Sequence, residues 1–276
     1  MKPRRPLVRY FGGKWKIADW VISHFPPHAS YAEPFGGAAS VLLRKPPVKL
    51  EIYNDLDDEL VNLFRVLRSE PEELRRQISL TPYSRAEFHA SYEPADDPME
   101  QARRTVTRLQ MGYSSSAHNT AHRTGFRTHA GGNLRSAAVE FAAWPDNVVA
   151  VIERLRHVVI EHRDAVDLIQ AHDRPEMLFY VDPPYVHSER SRWNKSDLHC
   201  GKSAYRHELD QAGQERLAET LNSVAGAVVL SGYKSKLYSE LYAGWTCVTR
   251  QARAQGRFPR TECLWLNPRA QPCLNF

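Results

Sequence analysis

Short apolar segments alternate with amphipathic helical patterns along this chain, and that alternation constrains the fold more than any other feature. The candidate strands are Tyr31–Glu33, Leu50–Tyr53, Val158–Glu161, Met177–Val181, Ala227–Ser231, Thr246–Arg250 and Glu262–Leu266. Between them, Leu56, Leu60, Phe64 and Leu67 recur at spacings of 4, 4 and 3. Asp57, Asp58 and Glu59 lead that pattern and Arg65 and Arg68 trail it, as a helix dipole favours. Leu217, Leu221 and Val224 mark another helix, which ends near Gly226 and feeds the apolar run Ala227-Val228-Val229-Leu230. Such an alternation predicts an α/β layer architecture with parallel strands.

From about Ser69 to Trp144 the strand signals stop. Pro71, Pro82, Pro94 and Pro98 punctuate short helical pieces such as Met99–Met111, and a Gly/Ser/His-rich loop follows. This stretch is expected to be an insertion between the second and third strands. It also carries the charge asymmetry: from Gln101 to Val139 there is no acidic residue, while Arg103, Arg104, Arg108, Arg123, Arg127 and Arg135 contribute +6 of a total net charge of +5. An acid-free, arginine-bearing loop with Tyr113 and Phe126 embedded in it suits a phosphate backbone. It suits a solvated surface loop with accidental charge equally well.

Other classes are excluded by simple counts. The chain has 276 residues, 42% of them hydrophobic, enough for a substantial core and too long for a disulfide-stapled mini-protein. No stretch approaches the ~20 uninterrupted apolar residues of a membrane helix. The basic start Met1-Lys2-Pro3-Arg4-Arg5-Pro6 runs into Tyr10-Phe11-Gly12-Gly13-Lys14, not into an apolar signal core. Cys200, Cys247, Cys263 and Cys273 form no CxxC pair and have no partnering histidine spacing. They are expected to be reduced thiols in a cytoplasmic protein, neither a zinc site nor a disulfide frame.

Four short elements fall at or beside predicted strand ends, where open α/β sheets bind ligands. Ala32-Glu33-Pro34-Phe35-Gly36-Gly37-Ala38-Ala39-Ser40 reads as a strand running into glycines and then a helix, a turn that lets backbone approach a ligand. Asp55, in Tyr53-Asn54-Asp55, follows Gly36 by 19 residues, a spacing that puts an acid where ribose hydroxyls lie; capping the next helix is the alternative. Met177–Val181 ends on Asp182-Pro183-Pro184-Tyr185. Two prolines cannot extend a strand or donate hydrogen bonds, so they force a rigid turn that holds a carboxylate and an aromatic face together. A carboxylate beside a carbonyl can hold an exocyclic amine by both N–H groups while Tyr185 stacks on its ring. Last, Arg9-Tyr10-Phe11-Gly12-Gly13-Lys14 precedes the apolar positions Ile17, Trp20 and Val21; it is either a plain lead-in or a segment with Tyr10 stacking and Lys14 pairing with a carboxylate.

In this order, from Arg9 to about Pro268, these motifs resemble the Dam-type family of DNA adenine-N6 methyltransferases. The resemblance implies a Rossmann-like methyltransferase fold, three-layer α/β/α with a mostly parallel sheet, that takes S-adenosylmethionine (SAM) as methyl donor and acts on N6 of a flipped adenine in double-stranded DNA. It implies a catalytic domain over 1–68 and 145–276 and an inserted target-recognition subdomain over 69–144. Tyr10, Gly12, Gly13, Lys14, Glu33, Pro34, Phe35, Gly36, Asp55, Asp164 and Asp182 would face the cofactor, with Asp167 competing with Asp164. Asp182, Pro183, Pro184 and Tyr185 would hold the base, and Arg108, Tyr113, Arg123, Arg127 and Arg135 would contact DNA. No metal and no membrane are called for, and a monomer or weak dimer is expected. Cytosine-N4 methylation and RNA adenine methylation need a similar clamp and stand as rivals, with an inactive DNA-binding module further off.

Overall fold

The computed structural model describes residues 3–113, 123–129, 136–184, 209–253 and 259–271. Its sheet has seven strands: β1 (Ser30–Glu33), β2 (Leu50–Asn54), β3 (Val158–Glu161), β4 (Met177–Val181), β5 (Ala227–Gly232), β6 (Thr246–Arg253) and β7 (Pro259–Leu266). They lie in the order β3-β2-β1-β4-β5-β7-β6. The first five in that order are parallel, with Ala32 facing Ile52 on one side and Phe179 on the other. β7 runs antiparallel to β5 and to β6, so the sheet is mixed at that edge. Helices cover both faces of a mostly parallel sheet, the α/β architecture that was expected.

Alternate residues of each central strand point to opposite faces, because side chains in a strand have a period of two. Leu178 and Tyr180 join Tyr31, Tyr53 and the helix Asp58–Ser69 in one buried cluster. Met177, Phe179 and Val181 join Ala32, Ile52 and the helices Ala165–His172 and Gln211–Ser223 in the other. Both faces are covered, which is why these strands read as near-continuous apolar runs.

Where strand signals stop in the sequence, the described residues hold the helices Pro71–Leu80, Arg85–Ala90, Pro98–Met111, Ala137–Ala142 and Trp144–Asn147. Leu74, Ile78, Phe88, Val106, Leu109, Phe141 and Trp144 are buried in the same cluster as Tyr31 and Phe64. Trp144 also donates its indole N–H to the Leu7 carbonyl at 2.8 Å, tying the stretch to the N-terminal segment. These helices therefore share their core with one face of the sheet. Among the described residues, no helix is long and apolar enough to cross a membrane.

Candidate active site

Sheet growth reverses between β1 and β4: β2 is added on one side, β5 on the other. At such a switch point the loops leaving the two strands part, and a crevice opens at their carboxyl ends. A cleft enclosing about 1150 Å³, its solvent-open mouth included, lies there. Tyr10, Gly12, Gly13, Lys14, Glu33, Pro34, Phe35, Gly36, Asp55, Asp164 and Asp182 all line it, as does Pro184. Asp167 and Pro183 do not line it. Tyr185 lies outside the described residues.

The turn after β1 differs from the expected strand-glycine-helix element. Residues 34–45 form successive turns with no regular helix, because Gly37 (φ 49°) and Ala39 (φ 52°) both take left-handed conformations that interrupt one. Its backbone N–H groups are drawn into the protein: Gly36 donates to the Asn54 carbonyl (2.7 Å), Gly37 to Asp55 Oδ2 (2.7 Å) and Leu42 to Glu33 Oε1 (2.6 Å). Gly36 is required by contact, since a Cβ there would stand 2.2 Å from the Tyr53 ring. Tyr53 is itself stacked on Phe64 (4.2 Å between centroids) and donates its hydroxyl to the Gly37 carbonyl (2.8 Å). The Tyr10 ring covers Gly37 from the cleft side, 3.1 Å from where a Cβ would be.

Asn54, fully buried at the end of β2, fastens the neighbouring loops. Its amide donates to the Pro34 carbonyl (2.8 Å) and the Arg163 carbonyl (3.0 Å), and its Oδ1 accepts from the Arg163 N–H (3.0 Å). Asp55 also accepts from the Asp57 N–H (2.8 Å), but the cap of the helix Asp58–Ser69 is Asp57, which accepts from Glu59. Asp164 caps the helix Ala165–His172 while lining the cleft.

Lys14 and Asp182 meet on the floor. The Lys14 Nζ stands 2.8 Å from both carboxylate oxygens of Asp182 and 3.1 Å from the Gly12 carbonyl. A carboxylate pairing for Lys14 was one of two readings of the sequence, and the pair joins residues 168 positions apart. Beside it, burial raises the Glu33 carboxyl to about 8, against the hydrogen bonds from the Tyr31 hydroxyl (2.7 Å) and Leu42, and the nearby Asp182 charge adds to the rise. A carboxyl with that value carries its proton at neutral pH.

Carboxyls dominate the lining: Glu33, Asp55, Asp57, Asp164 and Asp182 against the cations Lys14 and Arg216. Apolar surface comes from Phe35, Leu56, Val166 and Leu217. The far wall, Gly213, Arg216 and Leu217 of the helix Gln211–Ser223, was missed by sequence reasoning. Its apolar spacing is that of any amphipathic helix and holds no motif. Arg216 reaches both acids that competed for the cofactor role, Asp164 (3.2 Å) and Asp167 (3.3 Å).

The arginine-bearing stretch requires corrections. Arg108 is 1% exposed, ion-paired with Glu59 and donating to the Ser91 carbonyl (2.8 Å). Arg127 is 4% exposed, ion-paired with Glu140 (2.7 Å) and donating to the Gln110 carbonyl (3.0 Å). Neither guanidinium is open to a phosphate; a buried cation needs its partner and keeps it. Arg103 and Arg104 pair with Glu100, and Arg103 also with Glu87. Arg123 lies at the surface and pairs with Glu93 (2.8 Å). Tyr113 is 67% exposed, in a short antiparallel crossing where Gly112 bridges Phe126. Arg135 lies outside the described residues. Glu100 and Glu140 flank the acid-free window by one residue each, so much of the charge that defined it is cancelled from its own borders.

Known proteins similar to this chain point to one family. The profile of the D12 class N6 adenine-specific DNA methyltransferase family matches residues 10–255. A DNA adenine methylase of Vibrio cholerae serotype O1 is 31% identical over 72 residues, 26% of this chain and 26% of the relative's length. One from Salmonella typhi is 22% identical over 250 residues, covering 88% of this chain and 85% of the relative. One from Escherichia coli K12 is 27% identical over 109 residues, 37% and 39% of the two chains.

Proposed function

Since the chain belongs to the D12 class of N6 adenine-specific DNA methyltransferases, we propose that it transfers a methyl group from SAM to N6 of an adenine swung out of double-stranded DNA. The observation that carries this reading is the convergence of Lys14, Glu33, Asp55, Asp164 and Asp182 on one cleft at the sheet's switch point. That cleft fits the cofactor's chemistry: acids for ribose hydroxyls and amino groups, apolar walls for a flat base, and a surplus of carboxyls for a positively charged sulfonium. When bound, SAM supplies an electrophilic methyl group on that sulfonium.

The amino acids of this chain supply position and polarity. The lone pair of an adenine amine is conjugated into its ring, so the amine is a poor nucleophile until its N–H groups are engaged. Asp182 and the Pro183 carbonyl accept those two N–H groups and draw the nitrogen toward tetrahedral geometry. Lys14, bonded to both oxygens of Asp182, fixes the direction in which that carboxylate points. Asp182, accepting one of those N–H groups, can also take the proton the nitrogen sheds. Tyr185, next in the chain after Pro184, stacks on the flipped base and replaces part of its lost stacking.

In this reading residues 1–68 and 145–276 form the catalytic unit and 69–144 the DNA-reading part, with Tyr113 and Arg123 as its contacts. The test is transfer of a labelled methyl group from SAM into duplex DNA, run beside single-stranded RNA, with SAM affinity measured by calorimetry. Label in DNA adenine with SAM bound supports the reading; label confined to RNA or to cytosine, or failure to bind SAM, rejects it.

A further inference from the structure

The turn that holds Asp182 is stiffened by its prolines, but stiffness alone does not aim it. Pro184 is the last described residue of this segment, and its carbonyl accepts a hydrogen bond from Gln214 Nε2 at 2.9 Å. Gln214 is fully buried on the helix Gln211–Ser223. The other end of its amide, Oε1, accepts from the Tyr238 hydroxyl (3.4 Å), so donor and acceptor ends are both used and the amide's orientation is set. Tyr238 in turn lies in the helix Lys236–Leu241, whose cap Ser235 accepts from its N–H (3.2 Å). A buried glutamine is costly unless satisfied in this way, and an apolar residue would serve simple packing at that position.

The same helix also forms the far wall of the cleft, through Gly213, Arg216 and Leu217, with Arg216 held on Asp164. One rigid element thus touches the cofactor side of the site at residues 213, 216 and 217 and the target turn at 214. We propose that Gln214 is a positioning residue for methyl transfer: it locks the Asp182-Pro183-Pro184 turn to the helix that borders the cofactor, so that the amine's acceptors and the methyl donor are held in one frame. The inference rests on the functional reading above. The position of the carbonyls, more than their presence, is what Gln214 controls, and a displacement near 1 Å at a reacting centre costs on the order of a hundredfold in rate.

The substitution Gln214→Glu separates positioning from packing. An ionised carboxylate cannot donate to the Pro184 carbonyl, whereas a protonated one can, with its second oxygen still accepting from Tyr238. Relative to the parent enzyme, kcat of Q214E is therefore expected to be highest at low pH and to fall as pH rises from 6 to 9. Gln214→Leu is expected to lower kcat by about ten- to a hundredfold at every pH, with SAM affinity by calorimetry within about threefold of the parent. Thermal melting shows whether each variant is folded; should Q214L not fold, the pH-dependent ratio for Q214E alone decides. Variants that match the parent's kcat, with a constant ratio across pH, overturn the proposal. Equal loss of SAM affinity and kcat also overturns it, as a merely structural role would give. A parent protein that binds SAM but methylates no DNA adenine overturns the functional reading and this inference together, a result distinct from an active parent with unaffected variants.

Discussion

The cleft at the strand ends and the arginine-bearing stretch 101–139 carry comparably strong signals in the sequence, and the fold treats them in opposite ways. In the cleft, residues far apart in the chain converge: Lys14, Asp55, Asp164 and Asp182 come from four separate segments and face one space. In the arginine stretch, neighbours in the chain disperse. Arg103 and Arg104 share Glu100, while Arg108, Arg123 and Arg127 go separately to Glu59, Glu93 and Glu140. A short motif at a strand end is tied to a place, because strand ends of a parallel sheet share an edge. A run of charge on helices and loops is tied to no face, so its sum along the chain says little about the surface.

The largest effect that separates the regions is expected at Arg108. Replacing it with methionine keeps much of its volume but removes the ion pair with Glu59 and the hydrogen bond to the Ser91 carbonyl, which should cost on the order of 3 kcal/mol of stability. Urea unfolding measures this, and the salt dependence of DNA binding should be unchanged in the folded variant. A fully stable R108M with weakened DNA binding would restore Arg108 to the DNA surface.

Next is Asn54, which clamps the loops on either side of the cleft. Asn54→Ala removes two donors and an acceptor from the Pro34 and Arg163 backbone and should weaken SAM binding by about 1–3 kcal/mol, read by calorimetry. Unchanged affinity would mean that those loops hold their places without it.

Glu33 supplies a pH test. Its carboxyl is at about 8 in the fold against 4.5 in an unfolded chain, so between those values the folded state holds a proton that the unfolded state has lost. Its contribution is complete below 4.5 and is lost as pH rises through about 8, at up to about 1.4 kcal/mol per pH unit. Glu33→Gln resembles the protonated form and can still accept from Tyr31 and Leu42 through its carbonyl oxygen. Its stability should vary less with pH across that window; a slope equal to the parent's would show that Glu33 does not carry the proton.

The smallest effect is expected at Arg123. Its surface pair with Glu93 should contribute under about 1 kcal/mol to stability, so Arg123→Ala should melt as the parent does. Loss of one phosphate contact should reduce the slope of log affinity against log salt by about 0.9. An unchanged slope would remove the last described arginine of the stretch from the DNA contacts.

How much of this was legible depended on the kind of signal. Prolines after an apolar run mark a strand end wherever the strand lies in the sheet, so Asp182 and its turn could be read directly. Glu33 and Asp55 followed for the same reason, Glu33 as the last residue of its strand and Asp55 as the first residue after its own. The turns at Gly37 and Ala39 could not be read, since alanine at φ 52° has no signature. Gln214 and Arg216 were hidden by a helix pattern that shows which face is buried but not what that face touches. The burial of Arg108 was hidden too: its partner Glu59 lies 49 positions away on another helix, and no local pattern links them.

That the chemistry belongs to the cleft and turns on Asp182 can be measured by nucleoside mass spectrometry. Duplex DNA is incubated with SAM and either the parent protein or the Asp182→Asn variant, with SAM affinity and melting measured alongside. N6-methyldeoxyadenosine is expected with the parent, and a fall of about a hundred- to a thousandfold with folded, SAM-binding D182N. Equal yields from the two proteins, or methylation found on cytosine instead, would contradict it.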